Sequence, residues 1–164
     1  IAVSCKPELL IADEPTTALD VTIQAQIMDL LAELKRERGL SILLITHDLG
    51  IVSQFCDRAA EMYAGQIVEE GPVEQLLSEP LHPYTQGLLR CVPRLGRPDL
   101  EITPIEGTVP DLVELPLGCR FVPRCPKAMG LCREAPPPLY DLEGGRKSRC
   151  YLYEKAGAGL KKRI

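Results

Sequence analysis

Long apolar runs are absent from this sequence of 164 residues, and so is an excess of basic residues. The longest apolar stretches, LLIA and ILLI, are far too short to cross a bilayer, and no signal-peptide pattern opens the chain. The formal net charge of −4 argues against a general nucleic-acid-binding protein. Tryptophan is also absent, but an apolar content of 45% still permits a core. We therefore expect a protein that is soluble or attached to a membrane only through a partner.

A strand, a helix and a second strand are predicted near the start of the chain. Residues 8–13 (ELLIAD) and 41–46 (SILLIT) are short apolar segments of the kind that forms parallel strands covered on both faces. Between them, apolar residues at helical spacing predict a helix over 21–38 that Gly39 ends. This order implies a parallel pair with a right-handed crossover. Because the first residue is Ile1, we expect the C-terminal fragment of a longer protein.

The composition changes after Arg90. Before it, a hairpin that turns at Gly65 and a short helix over 72–77 are predicted, whereas ten of the fifteen prolines follow it. Residues 93–118 show no clear periodicity, so we predict an extended strap there. The predicted division of the chain is 1–78, 79–118 with the strap, 119–153 rich in cysteine, and a flexible tail over 154–164.

Two adjacent carboxylates end the first predicted strand. Ligands of open parallel sheets collect at the carboxyl ends of the strands, where Asp13 and Glu14 lie. Pro15 forces a turn, so both side chains could aim at one site. Such a pair can divide the work of phosphoryl transfer, because one carboxylate holds Mg²⁺ and the other accepts a proton from the attacking water. A lone Asp-Glu pair at a strand end, however, is usually a solvated turn.

The order of two segments resolves this choice. LLIADEPTTALD, residues 9–20, resembles the Walker B motif and D-loop of ABC-transporter ATPases, and LLITHDL, residues 43–49, resembles their switch-histidine segment. Both the order and the spacing match. The resemblance implies that Asp13 binds the Mg²⁺ of ATP, that Glu14 is the general base, and that His47 contacts the γ-phosphate.

Two of the residues in these motifs also have simpler interpretations. The resemblance implies that Asp20, which closes the D-loop, reaches across a dimer interface that holds two nucleotides, but Asp20 could also cap the following helix. His47 stands next to the first turn of a helix and could be structural.

No GxxxxGK[ST] loop occurs in the sequence, so the cradle and lysine that hold the phosphates are missing. We therefore expect these 164 residues to be inactive alone.

Segments of the second half indicate one branch of this family. SEPLHPYTQGLL, EGTVPDL and GCRFVPRCPKAMGLC resemble the C-terminal extension of ATP-binding subunits that serve oligopeptide and dipeptide importers, and in related systems nickel importers. The implied fold class is α/β. Residues 1–78 would be the C-terminal part of a P-loop, RecA-like ABC ATPase domain with a short strand pair. An irregular metal-binding tail, rich in proline and cysteine, would follow this domain. We expect His82, Pro83 and Tyr84 to lock a loop against the domain rather than to touch substrate.

The resemblance also implies partners and a location. The full protein would pair with a second ABC ATPase subunit, identical or related, and energise integral membrane permease subunits that a peptide-binding protein supplies. It would lie peripherally on the cytoplasmic face of a bacterial or archaeal inner membrane, without a nucleic-acid partner. The alternative from another functional class is a non-catalytic structural or regulatory module that binds metal on a vestigial ATPase scaffold.

Four of the seven cysteines are gathered in the tail. They are Cys119, Cys125, Cys132 and Cys150. Since nothing signals export, metal ligation is a better explanation than disulfides. Five, six and seventeen residues separate them, whereas structural zinc sites usually pair ligands two to four residues apart. Four thiolates from a looped chain suit an iron–sulfur cluster, which tolerates varied spacing.

The charge around these cysteines favours the same interpretation. Residues 119–150 hold seven cations against three acids, and cations stabilise an anionic four-thiolate cluster. The resemblance implies a 4Fe–4S cluster at these positions, and its role would be structural. Zn²⁺ at the same residues is the alternative, and free thiols or a disulfide remain open. The other three cysteines, Cys5, Cys56 and Cys91, are expected in the core.

Overall fold

Two parallel strands and a connecting helix begin the chain in the computed structural model, which describes residues 3–92 and 103–154. They belong to the first of two compact units, residues 1–57 and 58–164. Within the first unit, the two strands pair along their whole length, from Leu9 beside Ser41 to Asp13 beside Ile45. Its elements are β1 (Leu9–Asp13), α1 (Val21–Arg38), β2 (Ser41–Ile45) and α2 (Leu49–Phe55).

Helix α1 begins and ends where its sequence predicts. Oδ1 of Asp20 accepts hydrogen bonds from the backbone N–H groups of Thr22 and Ile23, each at 3.0 Å, and so caps the N-terminus. Gly39 follows the last turn in the left-handed conformation, with φ of 61°, which costs a residue without Cβ little. The predicted bounds 21–38 are confirmed.

The predicted burial of the strand pair on both faces is wrong for the described residues of the first unit. Leu9, Ile11 and Leu43 are 53%, 60% and 50% exposed. On α1, Leu31 is buried but Leu30 is half exposed. A parallel pair has two apolar faces, and the helices of this unit cover too little of either one.

An antiparallel sheet of four strands organises the second unit. The first two strands form a hairpin that turns at Gly65, where φ is 74°, so the predicted turn is confirmed. The third and fourth strands come from the cysteine-rich segment. The strands are β3 (Arg58–Tyr63), β4 (Gln66–Pro72), β5 (Tyr140–Leu142) and β6 (Arg146–Ser148), in the spatial order β3-β4-β6-β5.

In the described residues of the second unit, three short α-helices accompany this sheet. They are α3 (Val73–Ser78), α4 (Pro83–Arg90) and α5 (Leu131–Glu134). Helix α4 starts at the proline of the His-Pro-Tyr segment, and proline suits the first helical turn because its missing N–H has no intrahelical partner there. None of the helices within residues 3–92 and 103–154 is both long and apolar enough to span a bilayer.

The core of the second unit forms around Tyr63, Val68 and Phe121. The rings of Tyr63 and Phe121 meet edge to face, with centroids 5.1 Å apart. Tyr84 of α4 and Ile105 of the predicted strap pack against this core. The His-Pro-Tyr segment and the start of the described part of the strap are therefore anchored to the sheet.

The prediction of an irregular tail is wrong in part. Strand β6 joins β4, with Glu69 beside Ser148, and β5 pairs with β6. The predicted boundary at residue 78 thus falls inside the second unit, because β3 and β4 share a sheet with the tail. Residues 103–118 of the predicted strap contain no helix or strand, while 93–102 and the tail from 155 lie outside the described residues.

Candidate functional site

Glu14 and His47 meet at the carboxyl ends of β1 and β2. The N–H of Glu14 donates to the carbonyl oxygen of Ile45 at 2.8 Å, which continues the pairing one step past the strand. Oε1 of Glu14 then lies 3.1 Å from Nδ1 of His47. Two residues separated by a full crossover in sequence are therefore in direct contact at the edge where parallel sheets bind ligands.

The backbone of the loop after β1 is strained. Glu14 has φ of 44° and Ala18 has φ of 62°, which is the left-handed region that side chains with Cβ rarely adopt. Such conformations cost about 1–3 kcal/mol each and are concentrated at functional sites. Here the turn redirects Glu14 from the strand direction toward His47, as Pro15 in the sequence suggests.

A threonine supplies the second contact of Glu14. The Thr17 hydroxyl donates to Oε2 of Glu14 at 2.7 Å. This hydrogen bond, and after it the one with His47, holds the pKa of Glu14 below its ordinary value. The carboxylate is therefore ionised at neutral pH, able to accept a proton, and fixed in orientation by partners at both oxygens.

Asp13 is positioned as an open oxygen ligand. It is the last residue of β1 and is exposed, and among the described residues its side chain makes no hydrogen bond or ion pair. Exposed carboxylate oxygens are the ligands that Mg²⁺ uses in phosphoryl-transfer sites. Asp13 could therefore hold such an ion next to the oriented carboxylate of Glu14.

Asp20 and the ring of His47 face solvent. Asp20 uses Oδ1 to cap α1, so the simpler interpretation of this residue is correct, but within the described chain Oδ2 makes no hydrogen bond. Asp20 therefore has one oxygen available for a further contact.

The side chain of His47 is 80% exposed, so one face of the ring stays accessible to a ligand.

Thr17→Val is expected to raise the pKa of Glu14, because it removes the largest cause of the depression. Because folding lowers the pKa of this carboxyl group, the ionised group stabilises the folded state at pH values above its unfolded-state pKa. This stabilisation is lost as the pH falls through the folded-state pKa. NMR titration of the Glu14 carboxyl carbon measures the change. Thr22→Val, an equal substitution at an exposed position of α1, is the control, and an identical Glu14 titration in both variants would rule out the assigned role of Thr17.

The four tail cysteines line one cavity of the second unit. The backbones of Cys119 and Cys132 are in direct contact, since the N–H of Cys119 donates to the carbonyl oxygen of Cys132 at 2.8 Å. Gly118 permits this approach, because a Cβ there would collide with the Cys132 carbonyl. Cys125 and Cys150 also line the cavity. The structure thus brings together four residues spread over thirty-two positions of the sequence.

Burial keeps three of these thiols protonated. It raises the pKa of Cys119 and Cys125 and raises that of Cys150 to about 12. Thiolates in this cavity therefore need a cationic group to compensate them. A hydrogen bond with the backbone of Lys127, which also lines the cavity, acts to lower the pKa of Cys125, and the charge of Lys127 acts in the same direction.

Among the described residues, no group of three or more His, Cys, Asp or Glu side chains is placed to hold a metal ion. Metal ligation by the four tail cysteines therefore stays a prediction. Of the other cysteines, Cys5 is exposed and Cys56 and Cys91 are half-buried, so the prediction that all three lie in the core is wrong for Cys5.

Sequence reasoning missed two residues that organise these sites. Thr17 could have been found, because a hydroxyl three residues after Glu14 in a Pro-containing turn is placed to bond back to it. Glu69 could not, because it is 1% exposed in the structure and its partners, the N–H groups of Leu81 and His82 at 2.8 Å each, lie more than ten residues away.

Comparisons with known proteins match the chain to ATP-binding proteins of peptide transport systems. Residues 68–132 match the family described as Oligopeptide/dipeptide transporter, C-terminal region. The chain is 55% identical to the oligopeptide transport ATP-binding protein AppD of Bacillus subtilis, over 96% of this chain and 48% of AppD. It is 56% identical to a peptide import ATP-binding protein of Brucella abortus, over 92% of this chain and 45% of that protein.

A third relative comes from Salmonella typhimurium. Its oligopeptide transport ATP-binding protein OppD is 53% identical, over 92% of this chain and 45% of OppD. The chain therefore spans about half the length of the curated relatives it matches.

Proposed function

We propose that the chain supplies the hydrolytic half of an ATP site in a peptide importer, because it is similar to oligopeptide and dipeptide transport ATP-binding proteins. The observation that carries the proposal is the contact of 3.1 Å between Glu14 and His47 at the carboxyl ends of paired parallel strands. The exposed Asp13 beside them provides the remaining charge that such a site needs.

Each residue of the site has a separate task in this proposal. Asp13 would hold Mg²⁺, which would supply positive charge against the phosphates of ATP. Glu14 accepts a proton from the attacking water, and Thr17 keeps it ionised and oriented. His47 contacts the γ-phosphate through its exposed ring. Asp20, with one oxygen bonded to α1, offers the other oxygen across the interface of two ATPase domains.

The proposed partners follow from the same family. Two ATP-binding subunits, identical or related, close around nucleotide, and hydrolysis lets them separate because the γ-phosphate contacts are lost. This motion would energise membrane permease subunits at the cytoplasmic face of the membrane. A peptide-binding protein would deliver oligopeptides or dipeptides to the permease.

The second part of the proposal is a structural 4Fe–4S cluster in the cysteine cavity. Four thiols that line one cavity match the number of thiolates that such a cluster requires. Cys119, Cys125, Cys132 and Cys150 would hold it. Once bound, the cluster would supply four iron–sulfur bonds that cross-link segments with little regular structure of their own.

Nucleotide binding by two matched proteins tests the ATPase proposal. The 164 residues contain no phosphate-binding loop, so calorimetry is expected to detect no micromolar ATP binding by this chain alone. Joining the chain to the other half of its Bacillus subtilis relative should restore both binding and hydrolysis. Micromolar binding by the chain alone, or a joined protein that folds but never hydrolyses ATP, would contradict the proposal.

A further inference from the structure

A bulge in the hairpin of the second unit places two glutamates directly opposite each other. Strands β3 and β4 are antiparallel, but their register shifts between Glu61 and Met62, so that Glu61 pairs with Glu69 and Val68 is left over. Val68 and Glu69 are adjacent, yet they are only 4% and 1% exposed, whereas neighbours on a regular strand point to opposite faces. The bulge therefore turns Glu69 inward, across the sheet from Glu61.

Two negative charges in this position would repel each other. Directly opposed residues share one face of the sheet with Cβ atoms about 4.5–5.5 Å apart, and like charges at this spacing destabilise an antiparallel pair. Glu61 is half-buried, and the ion pairs among the described residues do not include it. The pair is therefore more stable when one of its two carboxyl groups keeps a proton.

Glu69 is the member of the pair with the stronger contacts. Its Oε1 accepts a hydrogen bond from the N–H of Leu81 and its Oε2 one from the N–H of His82, each at 2.8 Å. Nη2 of Arg146, on β6, lies 3.5 Å from Oε1. These contacts compensate the charge of Glu69. They also attach the start of α4 to the sheet, because His82 directly precedes that helix.

The groups on the inner side of β3 leave the charge of Glu61 without a counterion. Arg124 reaches the hydroxyl of Tyr63 at 3.4 Å, but its other nitrogens donate to backbone carbonyls of the strap. Arg120 donates to a backbone carbonyl at the hairpin turn. Tyr84 of α4 packs on Tyr63 with ring centroids 4.7 Å apart, and burial raises the pKa of its phenol, which therefore stays neutral.

The other charged and titratable groups of the neighbouring elements are exposed, neutral or paired with one another. Burial lowers the pKa of His82 to about 4, so its ring is neutral. The set comprises Arg58, Glu70 and Lys147 on the outer face of the sheet, and Glu74, His82 and Arg90 on or beside the helices. Glu69 is therefore the charge that acts on Glu61.

Glu61 carries the proton of the pair. Burial, followed by the charge of Glu69, raises the pKa of Glu61 from the ordinary value of 4.5 to about 7. A hydrogen bond with the backbone of Met62 acts in the opposite direction. Glu61 is therefore mostly protonated in the folded chain at mildly acidic pH and mostly ionised at mildly basic pH.

We propose that Glu61 and Glu69 form a pH-sensitive pair: protonated Glu61 leaves the carboxylate of Glu69 free to hold the start of α4, and ionisation of Glu61 weakens that hold. Because His82 and Pro83 line the cysteine cavity, the same change loosens one wall of the cavity. The proposal depends neither on the ATP site nor on an iron–sulfur cluster, since the second unit alone makes all of these contacts.

Hydrogen exchange of the Leu81 and His82 amides measures the hold on α4. Since folding raises the pKa of Glu61, the folded state is fully stable below the unfolded-state pKa, and stability is lost as the pH rises through the folded-state pKa. Protection of the two amides in the full chain, corrected for the intrinsic exchange rate, should therefore fall about tenfold from about pH 6 to about pH 8.

Two Glu→Gln substitutions show whether Glu61 causes this fall. Glu61→Gln removes the charge at nearly constant shape, so protection of the two amides should stay high at both pH values. Glu74→Gln is the same change at an exposed position of α3 and should keep the tenfold fall. Equal pH dependence in the two variants would overturn the proposal, because other groups would then be responsible.

NMR titration of the Glu61 carboxyl carbon in the native chain needs no variant. We expect a midpoint near pH 7. A midpoint close to 4.5 would overturn the proposal, because both carboxyl groups would then be ionised together at neutral pH without a cost. A midpoint near 7, with amide protection that does not change with pH, would also overturn it, since the proton would have no effect on α4.

Discussion

Glu14→Gln is expected to reduce ATP turnover about 10²- to 10⁴-fold in the joined protein, which is the range that one general base contributes. Glutamine is nearly isosteric with glutamate, so the contacts with Thr17 and His47 can be kept in part. Its amide cannot accept a proton from water. ATP binding should survive, because Glu14 has no part in holding the phosphates. Phosphate release at steady state measures the effect.

Glu33→Gln is the matched control for this substitution. Glu33 is exposed on α1, so the same chemical change there should leave turnover within about twofold, as surface substitutions generally do. If Glu14→Gln and Glu33→Gln hydrolyse ATP equally well, the first unit is a scaffold without catalytic use. The alternative of a non-catalytic metal-binding module would then gain its first support.

Cys150→Ser is expected to abolish iron binding. A 4Fe–4S cluster needs a ligand on each iron, so the iron content of anaerobically reconstituted protein should fall from about four per chain to near zero. Serine keeps the size of the side chain but is a poor ligand for iron of this type. Iron and sulfide analysis and the sulfur-to-iron absorption band measure the loss. The thermal stability of the second unit should fall with it, since metal binding contributes to folding.

Cys91→Ser provides the control for the cysteine prediction. Cys91 does not line the cavity, and its thiol donates to the carbonyl oxygens of Gly87 and Thr103, each at 3.3 Å, which a serine hydroxyl can also do. Iron content should therefore be unchanged. A native protein that is colourless after reconstitution and binds one zinc per chain would exclude the cluster.

Local signals predicted the first unit well. Asp20 and Gly39 mark both ends of α1 by capping chemistry that acts within a few residues. The apolar strands and the crossover rule placed Glu14 and the segment of His47 at one sheet edge. The exposure of Leu9 and Ile11 was not predicted, because an apolar pattern shows that a strand suits burial but not whether anything covers it.

The second unit depended on contacts that no local pattern reveals. Strands β5 and β6 have three residues each, too few for an alternating pattern, and β6 is specified by its pairing with β4, far away in sequence. The cysteines could be identified as one set by residue type alone. That they line one cavity depends on contacts that only the folded chain makes, such as the close approach of Gly118 to the carbonyl of Cys132.

The most direct test of catalysis by Glu14 is the identity of the bound nucleotide after a single turnover. The joined protein and its Glu14→Gln and Glu33→Gln variants are mixed with labelled ATP and Mg²⁺, freed of unbound nucleotide and quenched. We expect ADP on the native protein and on Glu33→Gln, and intact ATP on Glu14→Gln. ADP on Glu14→Gln, formed at the native rate, would contradict the assignment of Glu14 as the residue that accepts the proton from water.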